Sequence, residues 1–215
     1  MKYNSEKHNR HSIRLKGYDY SNPGAYFLAI CAQNRARLFG EIVDGKMILN
    51  DAGQMVEKWH LEIKNKYPDI KCDEHITMPN HFHCIIETPD IPSIPVRMAL
   101  CGHPALNQDA HAGASLRGNQ RPGRISIFDI MDWFKTMTTN EYIRGVKNNN
   151  WQRFEKRIWQ LRYWDHIIRN DLELSRIRRY IQNNSQNWQK DTLGNGNGNL
   201  IMEKPVEYEI ESWMV

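Results

Sequence analysis

No run in this sequence is apolar for the roughly 20 residues that a membrane-crossing helix needs. The N-terminus lacks a signal-peptide pattern as well: Lys2, Lys7, Arg10 and Arg14 alternate with polar residues instead of leading into an apolar stretch. A cytoplasmic protein is expected. Cysteine is sparse, and Cys31, Cys72, Cys84 and Cys101 show no CxxC spacing. Cys31 and Cys84 lie in apolar, strand-like runs where a thiol packs as a small hydrophobe, so no disulfide framework is expected. Internal repeats are absent too.

What is present is the composition of an ordinary soluble protein, 215 residues with 40% hydrophobic and 25% charged, enough for one substantial core with tails. The net charge of +4 is modest but unevenly placed. Segment 144–190 alone holds eleven Lys/Arg against four Asp/Glu, so the rest of the chain is net acidic. Trp151, Trp159, Tyr163, Trp164, Tyr180 and Trp188 are interleaved with those charges. Such a mixture suits phosphate neutralisation with base stacking, and it equally suits a solvated helix face above core aromatics.

Along the chain, a polar, basic arm (1–22) precedes Asn22-Pro23-Gly24, which reads as a turn. Residues 25–33 read as a central strand, and 39–49 as a hairpin around Asp44-Gly45. Asn50 or Asp51 caps a helix whose stripe is Met55, Val56, Trp59 and Ile63, ended by Tyr67-Pro68. Residues 70–78 and 81–88 form a second strand pair about Pro79-Asn80. Proline- and glycine-rich 91–124 shows no periodicity and reads as an irregular insert. Ser126 caps a helix through Ile127, Ile130, Met131, Phe134, Met137 and Ile143. Residues 154–164 have strand character, and Asp171 opens a last helix with the stripe Leu174, Ile177 and Ile181. The domain expected is therefore 23–190, followed by a flexible linker and tail over 191–215 that begins near the GNGNGN run. Strands interspersed with helices, hairpin first, predict an α+β fold with an antiparallel sheet covered by helices.

The stretch MPNHFHCIIE, 78–87, carries chemistry. On a strand, residues i and i+2 share a face, so His81 and His83 point one way while Phe82, Cys84 and Ile86 point into a core. Two neutral imidazoles so spaced can clamp a divalent ion, given further ligands, or can simply make ordinary hydrogen bonds. Other metal signatures can be set aside: there is no HExxH, and His83 to Glu87 does not have the HxE spacing of zinc deaminases. Cys101, His103 and His111 make a second, weaker cluster within the insert. On the last helix Tyr180 and Asn184 share a face, with Trp188 one turn on. Tyr180 sits at the edge of the apolar stripe, where it either finishes the core or leaves its hydroxyl free. With a pKa near 10, on the order of one phenol in a thousand is ionised at neutral pH, so a nucleophilic tyrosine needs help from a cation or base.

MPNHFHCIIE resembles the HUH motif (histidine, hydrophobic residue, histidine) of the IS200/IS605-like single-strand transposases. IWQLRYWDHIIRN with RIRRYIQNN resembles the tyrosine-helix region of their REP-associated branch, and RHSIRLKGYDYSNPGAYFLAICAQNR with LFGEIVDGKMILNDAG resembles that branch's N-terminal portion. The likeness runs from about Arg10 to Trp188, apart from the insert. It implies a ferredoxin-like or RRM-like domain of the HUH endonuclease type, with Tyr180 as nucleophile, His81, His83 and Asn184 as ligands of Mg²⁺ or Mn²⁺, and a 5′-phosphotyrosine intermediate. The implied partners are single-stranded DNA hairpins of REP-like palindromes, met at the nucleoid by a monomer or homodimer. The basic residues expected to meet DNA are Arg10, Arg14, Lys16, Arg162, Arg178 and Arg179, with Trp164 as a stacking residue. The chain departs from the family pattern in Asn184-Ser185 (often Asn-Pro), in Leu161-Arg162-Tyr163 (commonly Arg-Asn-Tyr) and in the length of the insert. Two rival functions use the same residues: a catalytically silent nucleic-acid-binding module, and a phosphodiesterase that employs water in place of tyrosine.

Overall fold

The computed structural model describes residues 14–15, 17–90 and 124–189. Strand β1 (Gly24–Cys31) passes through a tight turn (Gln33–Arg35) into a hairpin of β2 (Gly40–Val43) and β3 (Lys46–Leu49). Helix α1 (Asp51–Leu61) and the single turn α2 (Ile63–Lys66) follow, then β4 (Lys71–Met78) and β5 (His81–Thr88). After the insert come α3 (Ile127–Asn148), β6 (Trp164–Ile168) and α4 (Asp171–Asn183). The main sheet has the order β4-β5-β1-β6 with every neighbour antiparallel. Setting aside the small hairpin and α4, the path is β-α-β-β-α-β with β1 and β5 central, the ferredoxin-like arrangement.

Local chemistry fixes the joints. Asp44 and Gly45 both take positive φ (51° and 72°), which is what a two-residue hairpin turn requires. Asn50 caps α1 by accepting from the Gly53 N–H at 2.9 Å. Ser126 and Asp129 form a reciprocal capping box at the start of α3, and Asn170 accepts from the Glu173 N–H to start α4.

Strand alternation then divides the sheet into two faces. Tyr26, Leu28, Ile30, Phe82, Cys84 and Ile86 are buried in the larger core with residues of α1 and α3. Phe27, Ala29, Ile85 and Ile168 face the other way and meet Ile177 and Ile181 of α4. Both isoleucines are fully buried, and each contributes about 1.5–3 kcal/mol by leaving water. Polar bonds hold α4 across the sheet: His166 and Glu173 at the β6 side (2.6 Å), Arg178 to Asp73 and Gln182 to Glu74 (3.0 Å) at the β4 side.

Two expectations are corrected. Residues 154–164 are not a strand; the edge strand begins only at Trp164, and upstream of it Trp159 makes a single bridge to Ala32. Lys156 adopts left-handed backbone (φ 59°) that breaks an extended run, while Trp159 packs as an anchor in the large core. In α3 the buried stripe passes through Thr138 and Tyr142, whereas Met137 and Ile143 are half-buried. The i, i+4 row from Phe134 sets that line, and Thr138 is accommodated by donating to the Phe134 carbonyl (2.8 Å) and accepting from the Trp159 indole (2.8 Å).

Candidate active site

His81 and His83 emerge from β5 on the α4 face, their ring centroids 4.6 Å apart and both fully buried. The His81 Nδ1 lies 2.8 Å from Asn80 Oδ1. An amide oxygen only accepts, so Nδ1 carries the proton and Nε2 keeps its lone pair. His83 stacks on Phe27 (5.3 Å, 28°), and neither of its ring nitrogens has a hydrogen-bond partner in the chain. Leaving a buried imidazole so costs about 1–3 kcal/mol, unless a group from outside the polypeptide takes it up. Burial pushes the His83 pKa down to about 3. It also holds His81 well below the usual imidazole range, with His83 and Arg35 acting in the same direction and Asn184 against them. Both rings are therefore neutral, as metal ligands must be.

Tyr180 and Asn184 are delivered by the end of α4. The Tyr180 ring is half-buried, edge-on to His83 at 5.5 Å and to Phe27 at 6.0 Å. Asn184, the C-cap residue, is 2% exposed, and its Oδ1 has no hydrogen-bond partner in the chain. Trp188, one turn later, stacks on His81 at 5.9 Å and 25°. The four predicted residues His81, His83, Tyr180 and Asn184 thus converge from two elements far apart in sequence. Among the described residues no three His, Cys, Asp or Glu side chains gather into a metal-binding group. Asn184 Oδ1, a buried amide oxygen near His81, is of a kind suited to serve as a third protein ligand. A neutral pair of imidazoles with an orphaned carbonyl oxygen beside it fits a divalent ion of the Mg²⁺ or Mn²⁺ class, with Mn²⁺ the better match for nitrogen.

Tyr163, the other tyrosine in the basic segment, lies on the opposite face in the large core, and burial raises its pKa. It cannot reach the histidines through the sheet. Arg14 is with it, its guanidinium 4.1 Å over Phe128 and 5.3 Å over Tyr163, and 3.5 Å from the buried Asp165. Arg178 is bound through Nε to Asp73 at 2.8 Å. Arg162 and Arg179 are exposed. Trp164 is on the site face, stacked on His166 at 5.5 Å with planes 5° apart and edge-on to Phe27. Arg10 and Lys16 lie outside the described residues, as do Cys101, His103 and His111.

Sequence patterning misses Arg35 and Arg37. The signal was a pair of basic residues directly after the central strand, in Gln33-Asn34-Arg35-Ala36-Arg37, and nothing local says that the turn folds back toward His81. No helix among the described residues is long and apolar enough to cross a membrane.

No protein-family profile matches the sequence. A protein of Haemophilus influenzae described as uncharacterised is 36% identical over 195 residues, which is 89% of this chain and 97% of that one. Among solved structures, the REP-associated tyrosine transposase bound to a REP hairpin is similar at 18% identity and a TM-score of 0.47, over 81% of this chain and 72% of that one. A candidate transposase of Deinococcus radiodurans is similar at 13% identity and a TM-score of 0.38, over 80% and 97%. With both TM-scores under one half, the functional reading stands on the residues of the site.

Proposed function

This chain belongs to one family with the Haemophilus influenzae protein, and we propose that it is a single-tyrosine HUH nuclease and strand transferase acting on single-stranded DNA at REP-like hairpins. The observation that carries the reading is the buried pair His81 and His83, one with both nitrogens unsatisfied by the protein, directly beneath the half-exposed Tyr180.

In this reading His81, His83 and Asn184 hold a divalent cation, Mg²⁺ or Mn²⁺. When bound, that ion neutralises charge on a phosphate and makes its phosphorus more electrophilic. The Asn80 amide fixes the His81 tautomer, and Phe27 and Trp188 fix the ring planes, so the ligand set is organised before DNA arrives. Tyr180 attacks phosphorus in line. The bond to the 3′-oxygen breaks, leaving a 5′-phosphotyrosine and a free 3′-hydroxyl. The phenol gives up its proton and the departing oxygen takes one up, so the exchange is reversible and a second strand can be joined. Burial on one side of the Tyr180 ring restricts its rotation and favours a near-attack geometry.

Arg162 and Arg179 are proposed as phosphate contacts and Trp164 as a base-stacking residue, with Arg10 and Lys16 of the basic arm adding charge. Arg14 is engaged with Asp165 on the opposite face of the sheet, whereas Arg178 holds α4 to β4 on the site face. Incubation of a labelled hairpin carrying single-stranded flanks with the protein and Mn²⁺, followed by a denaturing gel, tests the reading. A covalent adduct is expected; binding without an adduct points to a silent nucleic-acid module, and cleavage without one to hydrolysis by water.

A further inference from the structure

We propose that Arg35 and Arg37 form the phosphate-gripping edge of the histidine–tyrosine site, taking the backbone phosphates of a DNA strand that lies over His81 and Tyr180. The inference rests on the nuclease reading for where the strand runs. Its own support lies in the loop that links β1 to the small hairpin.

That loop is fastened to the turn that presents the first histidine. Ala32 N–H donates to the Asn80 carbonyl at 2.7 Å, and Leu38 and Phe39 N–H donate to the Pro79 carbonyl at 2.9 and 3.1 Å. Both ends of the loop are thereby tied to the two residues preceding His81. Between the ties, Asn34 and Arg35 take consecutive left-handed conformations (φ 56° and 52°) although neither is glycine, so the chain doubles back within three residues. The Arg37 guanidinium lies 5.7 Å over the Trp188 ring, and Trp188 stacks on His81. Arginine, tryptophan and histidine thus form one column that ends at the proposed metal ligand.

Arg35 and Arg37 add two positive charges to the loop fastened beside a site suited to a cation, and like charges repel. The arrangement becomes favourable when an anion sits between them. A phosphodiester is such an anion, and the planar guanidinium fork matches its oxygens in a way that a lysine ammonium does not. The site would then hold a phosphate between the metal-ligand side and the arginine side, with Tyr180 facing it.

The test uses the full chain in a Tyr180→Phe background, so that binding is read without chemistry. Affinity for a labelled hairpin with single-stranded flanks is measured by anisotropy over a range of salt. Arg35→Gln and Arg37→Gln should each make the slope of log K against log salt shallower by about 0.7, the value for one phosphate contact on a single strand, and the double variant by about twice that. Arg35→Lys should keep most of the slope. With Tyr180 intact, Arg35→Lys and Arg35→Gln should both slow adduct formation, Arg35→Gln by about a hundredfold, as for loss of one donor at a developing charge. Slopes unchanged in both glutamine variants overturn the inference, whatever the adduct assay gives. Wild-type protein that binds but forms no adduct overturns the nuclease reading, and a slope change in that case still places the strand at this edge.

Discussion

The ring of Tyr180 stands edge-on to that of His83, centroids 5.5 Å apart and planes at 66°, although 97 residues separate them in sequence. The phenol is thereby held beside an imidazole that the protein leaves without a hydrogen bond. Metal binding at that imidazole should be visible without any DNA. At about a hundred times its dissociation constant, a ligand specific to the folded state adds roughly 2.7 kcal/mol, or about 5–10 °C in melting temperature for a chain of this size. Mn²⁺ should produce a rise of that order in the wild type and none in His83→Leu. An equal rise in both would remove His83 from the ligand set.

Acid should destabilise the protein well before its carboxylates titrate. His60, His81 and His83 are buried with pKa values pushed down by desolvation, His60 and His83 to about 3. A histidine depressed in the folded state stabilises fully above its unfolded pKa of about 6.5, and that contribution is lost as pH falls toward the folded value. His75 runs the other way: despite its burial, Glu57 at 2.6 Å raises its pKa, so its contribution is complete below about 6.5 and lost as pH rises past the raised value. Three depressed rings outweigh one raised, so unfolding free energy should fall between pH 7 and pH 5. His60 has no hydrogen-bond partner on either nitrogen, and His60→Leu should remove about 2 kcal/mol of that fall. Chemical denaturation at the two pH values measures it, and an identical pH dependence in wild type and variant would contradict the assignment.

Arg178 and Arg179 are neighbours with opposite tasks. Arg178 is paired with Asp73 across α4 and β4, whereas Arg179 is exposed on the helix. Arg178→Ala should cost about 1 kcal/mol of stability, with Asp73→Ala non-additive in a double-mutant cycle. Arg179→Ala should leave stability within about 0.5 kcal/mol and instead make the salt slope of DNA binding shallower by about 0.7. Additive losses from Arg178→Ala and Asp73→Ala would show that the pair is not coupled.

Gly145 is required by contact and not by backbone conformation. A Cβ there would fall 2.2 Å from ring carbons of Trp151. Gly145→Ala, which raises helix propensity, should nevertheless destabilise by about 1–3 kcal/mol through overpacking. A thermal melt at or above the wild-type midpoint would show that Trp151 moves aside without cost.

Much of this was legible in sequence because local chemistry spoke for it. Asp44-Gly45, Asn50 and Ser126 mark their joints through turn and cap geometry that any chain must satisfy. The division of β5 into a histidine face and a Phe82–Cys84–Ile86 face follows from strand alternation alone, and the i, i+4 spacing put Tyr180 and Asn184 together on α4. What the sequence hid is tertiary. Nothing local says that Trp159 bridges Ala32 while its neighbours stay irregular, or that Arg37 reaches Trp188 and through it His81. The sequence also hides that Arg178, within the charge excess of 144–190, pairs with the Asp73 carboxylate, which lies 105 residues away.

The central claim is that Tyr180 is the nucleophile over the His81–His83 pair. The direct measurement is a denaturing gel of wild type, Tyr180→Phe and Tyr163→Phe after incubation with Mn²⁺ and a 5′- or 3′-labelled single-stranded hairpin. Wild type and Tyr163→Phe should carry the label from the 5′-phosphate side as a covalent band, although Tyr163→Phe, altering a buried core tyrosine, is first checked for native folding. Tyr180→Phe should bind the hairpin with nearly unchanged affinity and give no band. A covalent band of wild-type intensity in Tyr180→Phe would contradict the account.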